Sequence, residues 1–178
     1  KINPISASKC SFKLSTTTYT YNGKVKTPSV TVKDANGTKL TKNTHYTVKY
    51  ASGRKYVGKY KVTITMKGNY SGTKTLYLTI NPPKTSVSKV TAAKKSLKVA
   101  IKKKSTQVSG YQIQYSTSKT FKAKNTKSKT VKSYKTTSTT LKSLKAKKTY
   151  YVRVRTYKTV KGKKYYSGWS SYKLKKTN

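Results

Sequence analysis

Hydrophobic and polar residues alternate along almost the whole chain. "TYTYNG" places Tyr19 and Tyr21 on one face, and "HYTVKY" does the same for Tyr46, Val48 and Tyr50. "KYKVTITMKG" puts Tyr60, Val62, Ile64 and Met66 inward, and "TLYLTI" puts Leu76, Leu78 and Ile80 inward. A period of two is the signature of half-buried β-strands. Turn signals separate the runs: Asp34-Ala35-Asn36-Gly37, with an Asn-Gly pair that favours a tight hairpin, and "GNYSG" around Tyr70. Six or seven short strands with such punctuation predict a β-sandwich over residues 1–81.

Pro82 and Pro83 then interrupt the pattern. Proline lacks the N–H that a sheet ladder needs, so residues 82–86 read as a linker. Alternation resumes over residues 87–178. Leu97, Val99 and Ile101 share a face, as do Tyr111, Ile113 and Tyr115. Leu141 and Leu144 follow, then Tyr150, Val152 and Val154 inward, with Tyr151, Arg153, Arg155 and Tyr157 outward. The expectation is an all-β protein of two tandem β-sandwiches, with no helix longer than two turns.

Composition supports strands: Thr, Ser, Tyr and Val dominate, and 17 of the 178 residues are Tyr. Charge changes the picture more. The chain carries 43 Lys+Arg against one acid, Asp34, for a formal net of +42. Only Arg54, Arg153 and Arg155 are arginines. A folded chain of this mass exposes roughly 9,000 Å², which spaces the unpaired charges by ~14 Å. The Debye length at physiological salt is about 8 Å, so folding is tolerated there and becomes costly at low salt. A polyanion meets a dense cationic surface and releases its counterions on binding. The alternative is a bias of composition toward solubility.

The inventory excludes most chemistry. A carboxylate pair needs two acids, a calcium site needs several, and Cys10, His45 and Asp34 have no zinc-ligand spacing. No Gly-rich phosphate loop occurs, and no apolar run approaches the ~18 residues of a membrane span. An enzyme, a cofactor and membrane insertion are therefore not expected. Neither is an internal Lys–Asn crosslink, which needs a buried acid. The lone Cys10 reads as a small buried thiol, or else as an intermolecular bridge or a reactive thiol. The opening "KINPIS" lacks Met, which reads as a processed product or an excised fragment.

Electrostatics and aromatics remain. Tyr151, Arg153, Arg155 and Tyr157, with Lys161, Lys163, Lys164, Tyr165 and Tyr166 in the following hairpin and Trp169 after it, form a candidate polyanion-binding patch. Guanidinium forks grip phosphate, sulfate or carboxylate, and rings stack on bases or sugars. Equally, Tyr165, Tyr166 and Trp169 could serve to cover the sandwich end. A second candidate is the segment Ile2, Asn3, Pro4, Ile5, Ser6 and Ala7, which could add as a strand to a neighbouring copy.

The second half resembles a fibronectin type III module of the kind found on surface and secreted proteins of Firmicutes. The residues are "KVTAAKKSLKVAIKK", "SGYQIQYSTSKTF" and "LKSLKAKKTYYVRVRTYKTVKGKKYYSGWS". Leu144 and Tyr150 keep the spacing of its tyrosine corner, while Ile101 stands where a core Trp is usual. The first half is similar to a bacterial immunoglobulin-like repeat, through "YTYNGKVKTPSVTVKDANGTKL", "HYTVKY" and "VTITMKGNYSGTKTLYLTI". That family usually has Asp where His45 stands. The resemblances imply a secreted or cell-surface, non-enzymatic module pair of a Gram-positive-type bacterium. It would act as a spacer and as an electrostatic anchor to teichoic acid-like envelope polymers, extracellular DNA or glycosaminoglycans. The alternative they leave open is a subunit of a surface filament or sheath, self-assembled by strand addition.

Overall fold

A computed structural model describes residues 3–178. The chain divides into two compact units, residues 1–80 and 81–178. Both are β-sandwiches; among the described residues the helical turns are two three-residue 3-10 segments, Ala7–Lys9 and Ala123–Asn125. Among the described residues no helix is long and apolar enough to cross a membrane.

The first unit contains β1 (Ile5–Ser6), β2 (Ser11–Leu14), β3 (Thr18–Thr20), β4 (Val30–Lys33), β5 (Tyr46–Tyr50), β6 (Gly58–Met66), β7 (Tyr70–Ser71) and β8 (Thr73–Asn81). One layer is a four-stranded sheet in the order β3-β8-β6-β5, and β2 pairs with β4 in a second sheet. Between them Val32, Leu40, Tyr46, Ile64 and Met66 form one buried cluster, and Leu14, Val62, Leu78 and Ile80 another. These are the alternate residues of the strands, so the period-two pattern directly yields the core. Tyr19, Tyr21, Val48, Tyr50, Tyr60 and Leu76 pack at its margin, only partly buried.

The turn after β4 departs from a two-residue Asn-Gly hairpin. Only Gly37 takes a positive φ, +83°, and Lys33 bridges Lys39. Asp34 organises the turn: its Oδ1 accepts from the backbone N–H groups of Asn36 (3.0 Å) and Thr38 (2.9 Å). The only carboxylate side chain of the protein is thus occupied by backbone, with the Tyr70 hydroxyl 3.5 Å from its Oδ2.

The second unit contains β9 (Val87–Ala93), β10 (Ser96–Ile101), β11 (Gly110–Ser116), β12 (Thr126–Val131), β13 (Ser138–Leu141), β14 (Thr149–Val160), β15 (Lys163–Tyr166) and β16 (Lys173–Lys176). A three-stranded sheet, β13-β10-β9, faces a sheet ordered β12-β11-β14-β15, with β16 also pairing to β14. Leu97, Val99, Ile101, Tyr111, Ile113, Leu141, Val152 and Val154 are buried between them. Ile101 is thus a core residue. The Tyr150 hydroxyl accepts from Lys145 N at 3.0 Å, pinning the loop that carries Leu144.

Residues 82–86 do not hang free. Pro82 and Thr85 are buried. Thr85 Oγ1 donates to Lys102 O, and Thr156 Oγ1 donates to Pro83 O at 2.7 Å. The prolines therefore lie along the second unit as its first packed segment.

Candidate polyanion-binding site

Strand alternation sets Arg153 and Arg155 on the outer face of β14. The register places them opposite Gln114 and Gln112 of β11. Arg153 donates from Nε (3.0 Å) and Nη2 (2.7 Å) to Gln114 Oε1, and Arg155 Nε donates to Gln112 Oε1 at 2.8 Å. Each guanidinium also stacks on aromatic rings. The Arg153 Cζ lies 3.9 Å from the Phe121 centroid and 4.7 Å from Trp169. The Arg155 Cζ lies 3.9 Å from Tyr166 and 4.3 Å from Trp169. Ring and cation thus alternate in a ladder, Phe121, Arg153, Trp169, Arg155, Tyr166. Partial burial lowers the pKa of both guanidiniums, and for Arg155 the neighbouring Arg153 adds to the lowering while Tyr166 opposes it.

The segment Ser167–Tyr172 holds Trp169 in this ladder. It lies between β15 and β16, and serine hydroxyls replace strand pairing there. Ser167 Oγ accepts from Thr156 N (3.1 Å) and Ser170 Oγ from Val154 N (3.0 Å). Ser167 N and Ser170 N donate back to the same two residues' carbonyls. Trp169 is therefore fixed by hydroxyls on both sides of it.

The ladder changes what the patch can do. Guanidinium stacks on Tyr166 and on Trp169, and both rings are half-buried, so a base or a sugar would compete with arginine for their faces. Tyr157 was expected to point outward but is 4% exposed. It stands opposite Gly110, where a Cβ would collide with Val131 O, and the missing side chain lets the ring lie over β11. Lys164 Nζ then covers it at 5.2 Å from the centroid. Tyr151 meets Tyr172 edge-on at 5.2 Å. Lys161, Lys163 and Lys164 are exposed on the hairpin, with Lys163 Nζ 5.8 Å from the Tyr165 centroid. Arg54 is stacked too, 5.0 Å from the Tyr50 centroid, and donates to Ala51 O. All three arginines are thus committed to rings, and the exposed charge is lysine.

Sequence reasoning missed Gln112, Gln114 and Phe121. The two Gln residues were readable from "GYQIQYS", as polar positions two apart matching two Arg residues two apart on a neighbouring strand. Phe121 gave no signal, because it reaches the ladder from a loop at a positive φ of 55°.

In the second candidate segment, Ile2 lies outside the described residues. Ile5–Ser6 pairs in parallel with Tyr70–Ser71 of the same unit, and Ile5 N donates to Asn69 O at 2.8 Å. Ala7 is buried in the first core. Ile5 and Ser6 thus pair within their own chain.

Residues 81–171 match the fibronectin type III domain family. The chain belongs to that family. No curated protein matches the sequence. Among solved structures, the chicken CNTN1 FN1-FN3 domains are similar at 20% identity, with a TM-score of 0.48, over 68% of this chain and 43% of that one. Domains from titin are similar at 15% identity, with a TM-score of 0.40, over 94% of this chain and 66% of that one. This fibronectin type III chain thus spans less than half of the CNTN1 structure. The family it matches is a β-sandwich module and not an enzyme family.

Proposed function

We propose that this chain is a non-enzymatic, extracellular module pair of a Gram-positive-type bacterium, an immunoglobulin-like repeat followed by a fibronectin type III domain. It serves as a spacer and as an electrostatic anchor to polyanions of the cell envelope. The observation that carries this reading is the charge: 43 basic residues against one acid, with that acid's carboxylate occupied by turn N–H groups. The lysines consequently find their counter-charges outside the chain. Lysine presents a compact charge on a flexible stem, which suits attraction without sequence readout. Self-pairing of Ile5–Ser6 favours an isolated module over a filament subunit.

Binding to duplex DNA, heparin, teichoic acid and a neutral glycan across a salt series tests the reading. For DNA, log K should fall against log salt with a slope of about −0.9 per phosphate neutralised. Affinity that ignores salt, or that is confined to the neutral glycan, overturns it.

A further inference from the structure

The second unit carries a concave site away from the arginine ladder. A cleft of about 380 Å³ lies between the end of β11, the 3-10 turn before β12 and the loop before β14. Its walls include Tyr115 and Tyr150, and Lys124, Lys127, Lys145 and Lys148 line it. Residues 81–178 contain no Asp or Glu, so no carboxylate side chain of this unit competes for these ammonium groups.

Both lysine-bearing rims are held by buried hydroxyls. Ser116, fully buried, donates from Oγ to Asn125 O at 3.0 Å and accepts from Ser118 N and Thr126 Oγ1. Thr177, 3% exposed, places its Oγ1 2.6 Å from Lys145 O and 3.2 Å from Lys148 O, and accepts from Lys148 N. The Asn125 and Lys145 carbonyls are thereby engaged by hydroxyls, and Lys148 O accepts from Thr177 N at 3.1 Å. A rim already fixed loses little freedom when a ligand binds.

The aromatic walls bear on the shape of the ligand. Tyr115 and Tyr150 are tilted by 52° with centroids 6.5 Å apart, which leaves no parallel slot for a nucleobase. Ser143, Thr117 and Asn125 also line the cleft, and their hydroxyls and amide match a polyhydroxylated ring. The volume lies at the lower end of the range for small-molecule sites, suited to a sugar unit and not to a duplex.

We propose that this cleft binds a sugar residue bearing a phosphate or sulfate group, with the half-buried Tyr115, backed by the buried Tyr150, against the ring and Lys124, Lys127, Lys145 and Lys148 around the oxyanion. The inference rests on the polyanion reading and narrows it to a focused subsite. The ligand could be a phosphodiester envelope polymer or a sulfated glycan, which share this chemistry.

The test titrates the full chain with glucose 6-phosphate, glucose 6-sulfate, glucose, inorganic phosphate and thymidine 5′-phosphate, read by NMR at the Tyr115 and Tyr150 rings. At least one of the two charged sugars should bind tenfold or more tightly than glucose, phosphate or the nucleotide, and which one does so distinguishes the sources. Lys→Gln at 124, 127, 145 and 148 together should abolish that preference. A control quartet of exposed lysines, Lys→Gln at 89, 98, 103 and 132, should change it less than threefold. Equal binding of inorganic phosphate or the nucleotide, or equal effects of the two quartets, overturns the subsite. Heparin binding on the same samples separates the failures: if it persists and falls with salt, only the subsite is lost, and if it is absent, the polyanion reading falls as well.

Discussion

The guanidinium carbon of Arg155 stands 3.9 Å from the centroid of the Tyr166 ring. With Trp169 shared between Arg155 and Arg153, the ladder fastens β14 to the segment between β15 and β16. Its removal should be read in stability and hardly in binding. Trp169→Ala deletes two cation–π contacts and a large ring, and should cost about 2–4 kcal/mol. Arg153→Ala combined with Arg155→Ala should weaken heparin binding less than tenfold at fixed salt while lowering the denaturant midpoint. A larger affinity loss at unchanged stability would return the arginines to the role of anion forks.

Much of this fold is written in the period of two. Val62, Ile64, Leu78, Ile80, Val152 and Val154 all lie in the cores to which alternation assigns them. Side-chain parity fails where a neighbour lacks a side chain: Tyr157 has outward parity and is buried because Gly110 faces it. The candidate patch was legible as residues but not as a state. Charge and ring count do not tell whether a guanidinium meets solvent or a tryptophan, since that depends on Ser167–Tyr172 folding back against β14. The lysine cleft was less legible still, because its walls come from three separate stretches of sequence.

The hairpin between β14 and β15 turns on two residues, Lys161 (φ 47°) and Gly162 (φ 76°), with Val160 facing Lys163. Two positive φ values in a two-residue loop make the hairpin turn that prefers Asn-Gly. Lysine has no local hydrogen bond to offset the left-handed conformation. Lys161→Asn should therefore stabilise the second unit by about 0.5–1 kcal/mol, seen as a higher midpoint in urea. Lys161→Val, β-branched, should lower it.

His45 performs an acceptor's task in the first unit. Its Nδ1 accepts from Thr41 N at 2.9 Å, and its ring meets Tyr70 edge-on at 5.8 Å. An Asp or Asn side chain at this position would accept the same bond. His45→Asn should retain stability within a few tenths of a kcal/mol, and His45→Ala should lose about 1 kcal/mol. Equal stabilities of the two variants would show that the bond contributes nothing.

Alkaline pH should weaken the fold through buried phenols and the thiol. Burial raises the pKa of Tyr46 and Tyr157, of Tyr115 with help from Tyr150, and of Cys10 with help from Asp34. Tyr50 is raised by burial as well, against the opposing charge of Arg54. Each folded pKa lies above its ordinary value, so above roughly pH 9–10 the unfolded chain holds fewer protons than the native one. Stability should be fully present below that range and fall as pH rises through the folded values. Denaturant titrations from pH 8 to 11, in high salt to screen the lysines, check it; a midpoint that rises over this interval contradicts the assignment.

Salt should stabilise the protein itself. The chain exposes 10881 Å² for a net charge of +42, about one unpaired charge per 260 Å², so neighbours stand on the order of 16 Å apart. At physiological salt the Debye length of about 8 Å screens them, and at 0.01 M it grows to about 30 Å and each charge repels many others. No internal carboxylate relieves that repulsion, since Asp34 is the chain's only Asp or Glu and backbone N–H groups occupy its carboxylate. The unfolded chain spreads the same charges farther apart, so low salt favours it. Thermal midpoints should rise steadily between 0.01 M and 0.15 M sodium chloride and flatten beyond, where the remaining screening gain is small. Replacing chloride by sulfate at equal ionic strength separates screening from anion binding: equal midpoints mean screening alone, a gain that saturates at low sulfate means that tetrahedral oxyanions also bind the folded lysine surface, and a gain that grows steadily with concentration reflects sulfate's exclusion from the protein surface.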